Sequence, residues 1–371
     1  MSPWKAARVG DQFNQIDTPA LILDLDAFER NVKRLQDALS NTNVRLRPHA
    51  KSHKCPEIAK RQIAAGAVGI CCQKVSEAAV FVAAGIQDIL ITNQVVGEKK
   101  VAHVLDLAEQ ARIGILVDHP DQVAAFAQAS STRKIQIDVY IEVDVGMGRC
   151  GATSIEQVVA MARQIDQAPY LNFMGLQCYH GSAQHYRLPQ ERQDAIAAVC
   201  AKAAEAKAAI EGVGITVERI TGAGTGSVML EGSSSIFNEV QAGSYILMDR
   251  DYAKNQQGAT DLAFEHALFI KTAILSHPIQ GRAVVDAGLK ASSVDSGMPL
   301  IWQRTDANYL KASDEHGVLE LTADSPLKLG DSILLIPGHC DPTANLYDDI
   351  ICIRGNVVEA IWPVAARGAL L

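Results

Sequence analysis

The sequence has no apolar run that approaches the ~18 residues needed to span a bilayer. Its first residues, MSPWKAARVGDQFNQ, lack the apolar core of a secretory signal peptide. It also lacks an excess of positive charge, because 34 basic residues face 42 acidic ones and the net charge is −8. These absences predict a cytoplasmic protein with no membrane partner and no nucleic-acid partner.

The eight cysteines form no CxxC pair and no regular framework, and a chain of 371 residues does not need disulfides to hold a core. We interpret the cysteines as reduced and mostly buried. An apolar fraction of 48% and a charged fraction of 20% are typical of a soluble globular protein. The length allows one large domain and a smaller one.

Short β-branched runs alternate with stretches of helical period between residue 18 and about residue 245. This strand-helix repeat predicts an α/β fold, a (β/α)8 TIM-type barrel. An open doubly wound sheet is the alternative, but no GxGxxG follows the first strand, and polar residues gather where the strands end, as in barrel active sites. The predicted strands are 20–26, 44–50, 68–73, 88–93, 112–118, 137–144, 173–180 and 217–224.

The pattern changes near residue 260 to short alternating strands separated by Gly, Pro and Asp turns. No stretch of good helical period remains there, so the sequence predicts a C-terminal all-β domain. We place the barrel at residues 18–258 and the β domain at 259–371, with residues 1–17 packing on the latter.

The segment RPHAKSHK, residues 47–54, carries five potentially cationic side chains in a chain that is acidic overall. It follows the predicted second strand, which puts Lys51 at the barrel mouth. Crowded cations disfavour the charged form of a lysine, so the segment predicts a lowered pKa for Lys51 and an amine able to attack a carbonyl. A solvated basic turn is the alternative interpretation.

Two glycine-rich turns, TGAGTGS (221–227) and QAGSY (241–245), follow the predicted eighth strand. Backbone amides in such turns can hold a phosphate, although an ordinary loop has the same composition. A reactive lysine and a phosphate site at one end of a barrel point to pyridoxal 5'-phosphate (PLP). Arg149, after the sixth strand, and Tyr179, at the end of the seventh, supply a hydrogen-bond donor and an aromatic face for a planar ring.

The segment PGHCDPT, residues 337–343, contains a possible metal site. In an extended chain, His339 and Asp341 would point to the same side. An imidazole and a carboxylate suit a divalent ion such as Mn²⁺, Mg²⁺ or Zn²⁺, while an Asp-Pro turn is the alternative explanation. Cys340 would then face away from the ion and pack against the protein.

Taken together, the motifs resemble the D-threonine aldolase / D-3-hydroxyaspartate aldolase group of the alanine-racemase-like (fold type III) PLP enzymes. The resemblance runs from about residue 17 to residue 368. Its ordered motifs are RPHAKSHK, GICCQKVSEA, EVDVGMGRCG, GLQCYHGSAQHY, TGAGTGS, QAGSY, VVDAGLK, SDEHG, PGHCDPT and WPVAARG.

The resemblance implies a role for each matching position. Lys51 corresponds to the lysine that binds the cofactor aldehyde, Arg149 to the arginine beside its phenolic oxygen, and Tyr179 to the residue stacked on its ring. His339 and Asp341 correspond to metal ligands, and His185 to a catalytic histidine near the metal. The remaining implied cofactor contacts are Gln73, Gly224, Thr225, Gly226, Gln241, Gly243, Ser244 and Tyr252.

The resemblance also implies an activity: PLP- and metal-dependent cleavage of a D-β-hydroxy-α-amino acid, D-threonine or D-3-hydroxyaspartate, to glycine and an aldehyde. A dehydratase acting on D-3-hydroxyaspartate or D-serine is the main alternative. The related dehydratases carry His-x-Cys at the metal, where this chain has His-Cys-Asp, which favours the aldolase. A racemase and a non-catalytic PLP-binding barrel are further alternatives, and the fold implies a homodimer.

Overall fold

The computed structural model describes residues 4–371. The first strand, β1 (Ala20–Asp24), belongs to a second sheet. Eight parallel strands follow it along the chain: β2 (Arg45–Leu46), β3 (Ile70–Cys72), β4 (Asp88–Gln94), β5 (Arg112–Val117), β6 (Ile137–Glu142), β7 (Leu171–Cys178), β8 (Arg219–Gly222) and β9 (Glu239–Val240). Their order is β2-β9-β8-β7-β6-β5-β4-β3. A parallel bridge from His49 to Cys71 joins the two ends. The sheet therefore closes into a barrel.

Helices connect these strands, and local sequence signals fix several helix ends. Asp24 accepts the N–H of Ala27 at the start of the first helix, and proline occupies the first turn of the second, fifth and seventh helices. The helices are α1 (Leu25–Ser40), α2 (Pro56–Ala64), α3 (Val75–Ala83), α4 (Glu98–Ala108), α5 (Pro120–Arg133), α6 (Ile155–Asp166), α7 (Pro189–Glu211), α8 (Val228–Gly232), α9 (Arg250–Ala253) and α10 (Cys340–Ala344).

The second sheet has nine strands, and its main path runs β13-β14-β11-β10-β1-β16-β17. Within it β15 pairs with β10 and with β12. Besides β1, the strands are β10 (Leu268–Ile279), β11 (Arg282–Val285), β12 (Leu300–Ile301), β13 (Ala307–Ala312), β14 (Gly317–Leu321), β15 (Ser332–Ile336), β16 (Asp349–Arg354) and β17 (Val357–Pro363). Gln12 bridges Val357 of this sheet.

The prediction that residues 20–26 form the first barrel strand is wrong. Strand β1 pairs antiparallel with β10 and parallel with β16, in the second sheet. A short apolar run looks the same in either buried sheet, so periodicity could not separate the two. The eighth barrel strand is instead β9, whose two residues are too few to show a pattern. TGAGTGS thus follows the seventh barrel strand and QAGSY the eighth.

A loop of the second sheet covers the barrel mouth. The N–H of Arg250, after the last barrel strand, donates to the carbonyl of Pro337. The N–H of Cys340 donates to Oδ2 of Asp249 at 3.0 Å. The sequence PGHCDPT is thereby held over the C-terminal ends of the barrel strands. Between residues 4 and 371, no helix has the length and apolar character that crossing a membrane requires. The domain limits at residues 258 and 259 stay a prediction.

Candidate active site

A cleft at the barrel mouth brings together almost every residue predicted for the site. Gly226 is the exception: it lies outside the cleft lining, and its N–H donates to Oε1 of Gln184 at 2.9 Å. The predicted residues that line the cleft are Lys51, Gln73, Arg149, Tyr179, His185, Gly224, Thr225, Gln241, Gly243, Ser244, Tyr252, His339 and Asp341.

The cleft also contains residues that the sequence analysis did not select. They are His49, Thr92, Glu142, Gln177 and Ala223. Polar side chains among them lie in or just after barrel strands, so a systematic count of polar residues at the strand ends could have found them.

Lys51 lies in a short 3-10 turn, Ala50–Ser52, just after strand β2. The N–H of Lys51 donates to Nδ1 of His49 at 3.3 Å, which fixes the start of this turn. Nζ of Lys51 points into the cleft, 3.9 Å from Oδ2 of Asp341. The amine therefore faces the predicted metal residues across the barrel mouth.

The other cations of RPHAKSHK do not crowd Lys51. Arg47 is buried and bonds Oε1 of Glu239 at 3.0 Å and Oδ1 of Asp88 at 2.5 Å. Lys54 is also buried, and its Nζ lies 2.9 Å from Oε1 of Glu77. Each of these two charges is therefore neutralised within the protein.

The two histidines of the segment are neutral as well, because burial lowers the pKa of His49 well below its ordinary value and that of His53 to about 3. The expected lowering of the Lys51 pKa is consequently wrong. Burial and Arg149 act to lower that pKa, but the carboxylate of Asp341 raises it, and the result lies above the usual lysine value. Without cofactor or metal, the amine of Lys51 is charged and lies next to the carboxylate of Asp341.

One wall of the cleft presents groups suited to a planar ring. The guanidinium of Arg149 lies over the ring of Tyr179, 6.0 Å from its centroid. In the same cleft, Gln241 and Gln177 exchange two side-chain hydrogen bonds of 2.8 and 3.0 Å. Nε2 of Gln241 also donates to the hydroxyl of Thr221 at 2.9 Å. The neutral amide at position 241 is therefore rigidly held.

The glycine-rich turns enclose a hydroxyl without a partner. Oγ1 of Thr225 is buried and forms no hydrogen bond among the described residues. Nearby, a methyl group on Gly243 would lie 2.8 Å from the carbonyl oxygen of His49, too close to be accepted without a shift of backbone. A buried, unpaired hydroxyl beside a cleft fits a ligand oxygen such as that of a phosphate.

The predicted metal residues approach each other at the edge of the cleft. Nε2 of His339 lies 4.0 Å from Oδ1 of Asp341, less than twice a metal–ligand bond of about 2.1 Å. The opposite ring nitrogen, Nδ1, lies 2.8 Å from Oδ2 of Asp295, so Nε2 is left for an ion. A divalent ion therefore fits this donor set.

The local conformation around His339 differs from the extended chain that we expected. His339 is extended, but Asp341 lies in the first turn of α10. Cys340 is buried, as predicted, but the expectation that it faces away from the ion is wrong, because the helical turn brings its Sγ to 3.3 Å from Oδ1 of Asp341, to which it donates. Ser244 donates to the same oxygen at 3.1 Å. The start of the helix, rather than strand alternation, brings the two metal residues together.

A second group of potential ligands, Asp118, Glu142 and Cys150, has its ligand atoms within 4.8 Å of one another. Both carboxylates already accept hydrogen bonds, Asp118 from the N–H of Gly151 at 2.9 Å and Glu142 from the side chain of Gln94. None of the predicted metal residues belongs to this group.

His185 follows strand β7, in the turn Ser182–His185. Its Nδ1 lies 2.6 Å from Oδ2 of Asp251, and its ring stacks on Tyr252 with centroids 6.0 Å apart. A lysine, a histidine held by a carboxylate, and an imidazole–carboxylate pair thus meet around one cleft.

Comparison with known proteins identifies the family. Residues 23–251 match the alanine racemase N-terminal domain, and residues 267–353 match the putative serine dehydratase domain. A D-threonine aldolase from Arthrobacter sp is 47% identical over 98% of this chain and 96% of that protein. The chain belongs to the alanine-racemase-like family, in its D-threonine aldolase / 3-hydroxy-D-aspartate aldolase group.

Other members of the aldolase group agree in sequence and in structure. A 3-hydroxy-D-aspartate aldolase from Paracoccus denitrificans (strain Pd 1222) is 43% identical over 96% of this chain and 93% of its own. The crystal structure of D-threonine aldolase from Filomicrobium marinum superposes with a TM-score of 0.97 and 47% identity, covering 99% of this chain and 100% of that one. A D-threo-3-hydroxyaspartate dehydratase from Delftia sp. (strain HT23) is more distant, at 28% identity over 97% of each chain.

Membership in the aldolase group confirms the predicted barrel-plus-β fold and the predicted enzyme class, a PLP-dependent lyase. The roles assigned to single residues stay predictions. Their convergence on one cleft makes each of them testable.

Proposed function

We propose that this enzyme cleaves D-threonine, and D-3-hydroxyaspartate as a second substrate, between Cα and Cβ to release glycine and acetaldehyde or glyoxylate. The observation that carries the proposal is the position of Lys51, whose Nζ lies 3.9 Å from Asp341. A substrate amino group held near Lys51 would have its β-hydroxyl within reach of an ion at His339 and Asp341.

The chain's residues fit PLP. Lys51 would bind its aldehyde, Tyr179 would face its ring, and Arg149 its phenolic oxygen, while the unpaired hydroxyl of Thr225 would donate to its phosphate. The backbone around Gly243 and Ser244 would complete the phosphate site. When bound, PLP supplies an electron sink for the pair released from Cα–Cβ.

The fit of the metal residues supports an aldolase dependent on Mn²⁺ or Mg²⁺, with Zn²⁺ as a further candidate. Such an ion makes a bound hydroxyl more acidic. His185 lies across the cleft as a proton acceptor for that hydroxyl. Cleavage requires a base at the β-oxygen, whereas loss of water requires an acid there, so a histidine that accepts a proton favours cleavage over dehydration.

D-Threonine is placed first because of the 47% identity with two D-threonine aldolases. A cytoplasmic homodimer, with the D-amino acid as its small-molecule partner, completes the proposal.

The proposal is tested by incubating the PLP-loaded enzyme and Mn²⁺ with D-threonine and with L-threonine. We expect equal amounts of glycine and acetaldehyde from the D form alone, and a loss of this activity after chelation that added Mn²⁺ reverses. Full activity after complete removal of divalent ions would contradict the metal assignment. Release of an oxo acid and ammonia would contradict the aldolase.

Replacing Thr225 by valine tests the phosphate site. Because the hydroxyl is buried without a partner, its removal should raise the free energy of unfolding of the cofactor-free protein by about 1 kcal/mol. The same change should weaken PLP binding by about tenfold, since a hydrogen bond to a charged group is lost. Thermal melting and a fluorescence titration with PLP measure the two effects. Thr225→Ser is the matched control, and unchanged PLP affinity in Thr225→Val would remove Thr225 from the site.

Replacing Asp295 by alanine tests the support of His339. Without its 2.8 Å contact to Nδ1, the imidazole loses its fixed orientation, and affinity for Mn²⁺ should fall about 10- to 100-fold. Titration of metal-stripped protein with Mn²⁺, followed by activity, measures the change, and saturating Mn²⁺ should restore the rate. Glu320→Ala, which removes an exposed carboxylate of strand β14 that does not line the cleft, serves as the control. An Asp295→Ala enzyme with native metal affinity would show that His339 does not depend on this contact.

A further inference from the structure

Asp251, a residue outside the cleft lining, holds His185 from behind. Its Oδ2 lies 2.6 Å from Nδ1 of His185, and the carboxylate is buried. Tyr252 stacks on the imidazole with an angle of 30° between the ring planes. The ring of His185 is therefore fixed both in position and in rotation.

The other oxygen of Asp251 is occupied by cations. Nη2 of Arg187 donates to Oδ1 at 2.5 Å, and Nζ of Lys254 lies 3.6 Å from the same atom. Arg187 is itself anchored, because its Nη1 donates to the carbonyl of Asp251 at 2.8 Å and to Asn255 at 2.6 Å. Oδ1 thus has a fixed donor, and Oδ2 is left for His185.

The carboxyl of Asp251 is ionised in this setting. Burial raises its pKa, but hydrogen bonds from His185 and Arg187 lower it, and the result lies below the ordinary aspartate value. An ionised carboxylate only accepts hydrogen bonds. The hydrogen in the contact therefore belongs to Nδ1 of His185, and in the neutral form of the ring the lone pair is on Nε2.

We propose that Asp251 is a positioning residue that holds the hydrogen of His185 on Nδ1 and thereby makes Nε2 the proton acceptor in the cleft. This role rests on the proposed function. As the β-hydroxyl O–H bond breaks, its proton goes to Nε2, and its electron pair completes the aldehyde C=O. With PLP bound, its ring would take up the electron pair of the broken Cα–Cβ bond.

An Asp251→Asn variant tests the role because Arg187 dictates how the new amide is oriented. A guanidinium can only donate, so the amide oxygen must take the place of Oδ1. The amide NH2 then faces Nδ1 of His185, which becomes an acceptor, and the ring hydrogen moves to Nε2. We expect kcat to fall about 10²- to 10⁴-fold, with little change in KM.

A second variant separates this effect from loss of structure. Glutamine at position 187 can donate or accept, and Nζ of Lys254, at 3.6 Å, is too far to form a hydrogen bond with the side chain at 251. In Asp251→Asn/Arg187→Gln the amide at 251 can therefore turn its oxygen back to His185. We expect kcat to recover at least about tenfold relative to Asp251→Asn, since the acceptor nitrogen is restored. Arg187→Gln alone should lower kcat less than Asp251→Asn does, because Oδ2 of Asp251 can still accept from Nδ1 of His185.

The position of the ring hydrogen can be read without cofactor or substrate. In alkaline buffer, ¹⁵N NMR of histidine-labelled, cofactor-free protein distinguishes the two neutral forms, and loss of a signal in His185→Gln identifies the residue. We expect the hydrogen on Nδ1 in the native protein, on Nε2 in Asp251→Asn, and on Nδ1 again in the double variant.

Three results would overturn the role of Asp251: an unchanged ring form in Asp251→Asn, no recovery in the double variant, or an equal loss in Arg187→Gln alone. A native enzyme that releases no glycine would instead overturn the proposed function. The NMR signal therefore tests the role of Asp251, and the product assay tests the proposed function independently of it.

Discussion

A Lys51→Ala enzyme is expected to lose kcat/KM by roughly 10⁴-fold or more, because Lys51 is the proposed covalent link to PLP and its neighbours cannot replace it. His49 and His53 are neutral, and Lys54 is buried against Glu77. None of these three side chains has a free amine to offer in the cleft. The variant should also lose the visible absorbance band of lysine-bound PLP, read directly by spectroscopy.

Lys51→Arg separates the covalent role from an electrostatic one. Arginine keeps the positive charge opposite Asp341 but cannot bind an aldehyde in the same way. We expect the same loss of activity and of absorbance as in Lys51→Ala. An arginine enzyme with near-native activity would mean that Lys51 acts through its charge and that another group binds PLP.

An Asp341→Ala enzyme is expected to fall by about 10³-fold in kcat/KM, the size of effect that several kcal/mol of metal assistance represents. Its residual activity should no longer depend on added Mn²⁺. PLP should still bind, because Lys51 and the phosphate site remain, and the absorbance band should persist. Steady-state assays over a Mn²⁺ titration measure the change.

Cys340→Ala is the matched control for Asp341→Ala. Cys340 is buried next to Asp341 and donates to its Oδ1, but it is not one of the two proposed metal ligands. Its removal should leave the dependence on Mn²⁺ in place. If Cys340→Ala lost that dependence while Asp341→Ala kept it, the ligand beside His339 would be the thiolate of Cys340 and not the carboxylate of Asp341.

The sequence predicted the barrel well because alternating strand and helix periods are a local signal. Strand β1 was assigned to the wrong sheet, because an apolar run buried in one sheet has the same pattern as an apolar run buried in the other. Strand β9 was missed because its two residues carry no period. Placement in a sheet is decided by pairing partners far along the chain, which a local pattern does not contain.

The same limit applies to the charges of the site. The partner of Arg47 is Glu239, 192 positions away, and without it RPHAKSHK reads as a concentration of free positive charge. Asp251 and Asp295 were likewise missed, because they lie 66 and 44 positions from His185 and His339 and no sequence motif links them to these histidines. Residue types at strand ends could be predicted, but the partners that set their ionisation needed the fold.

Cleavage between Cα and Cβ, as opposed to loss of water, is tested most directly with D-3-hydroxyaspartate, because an aldolase relative and a dehydratase relative are both named for this compound. The PLP- and Mn²⁺-loaded enzyme is incubated with it, and glycine, glyoxylate, ammonia and oxaloacetate are measured in the same sample. Cleavage between Cα and Cβ predicts glycine and glyoxylate in equal amounts, with no ammonia. Ammonia and oxaloacetate in equal amounts, with no glycine, would contradict it.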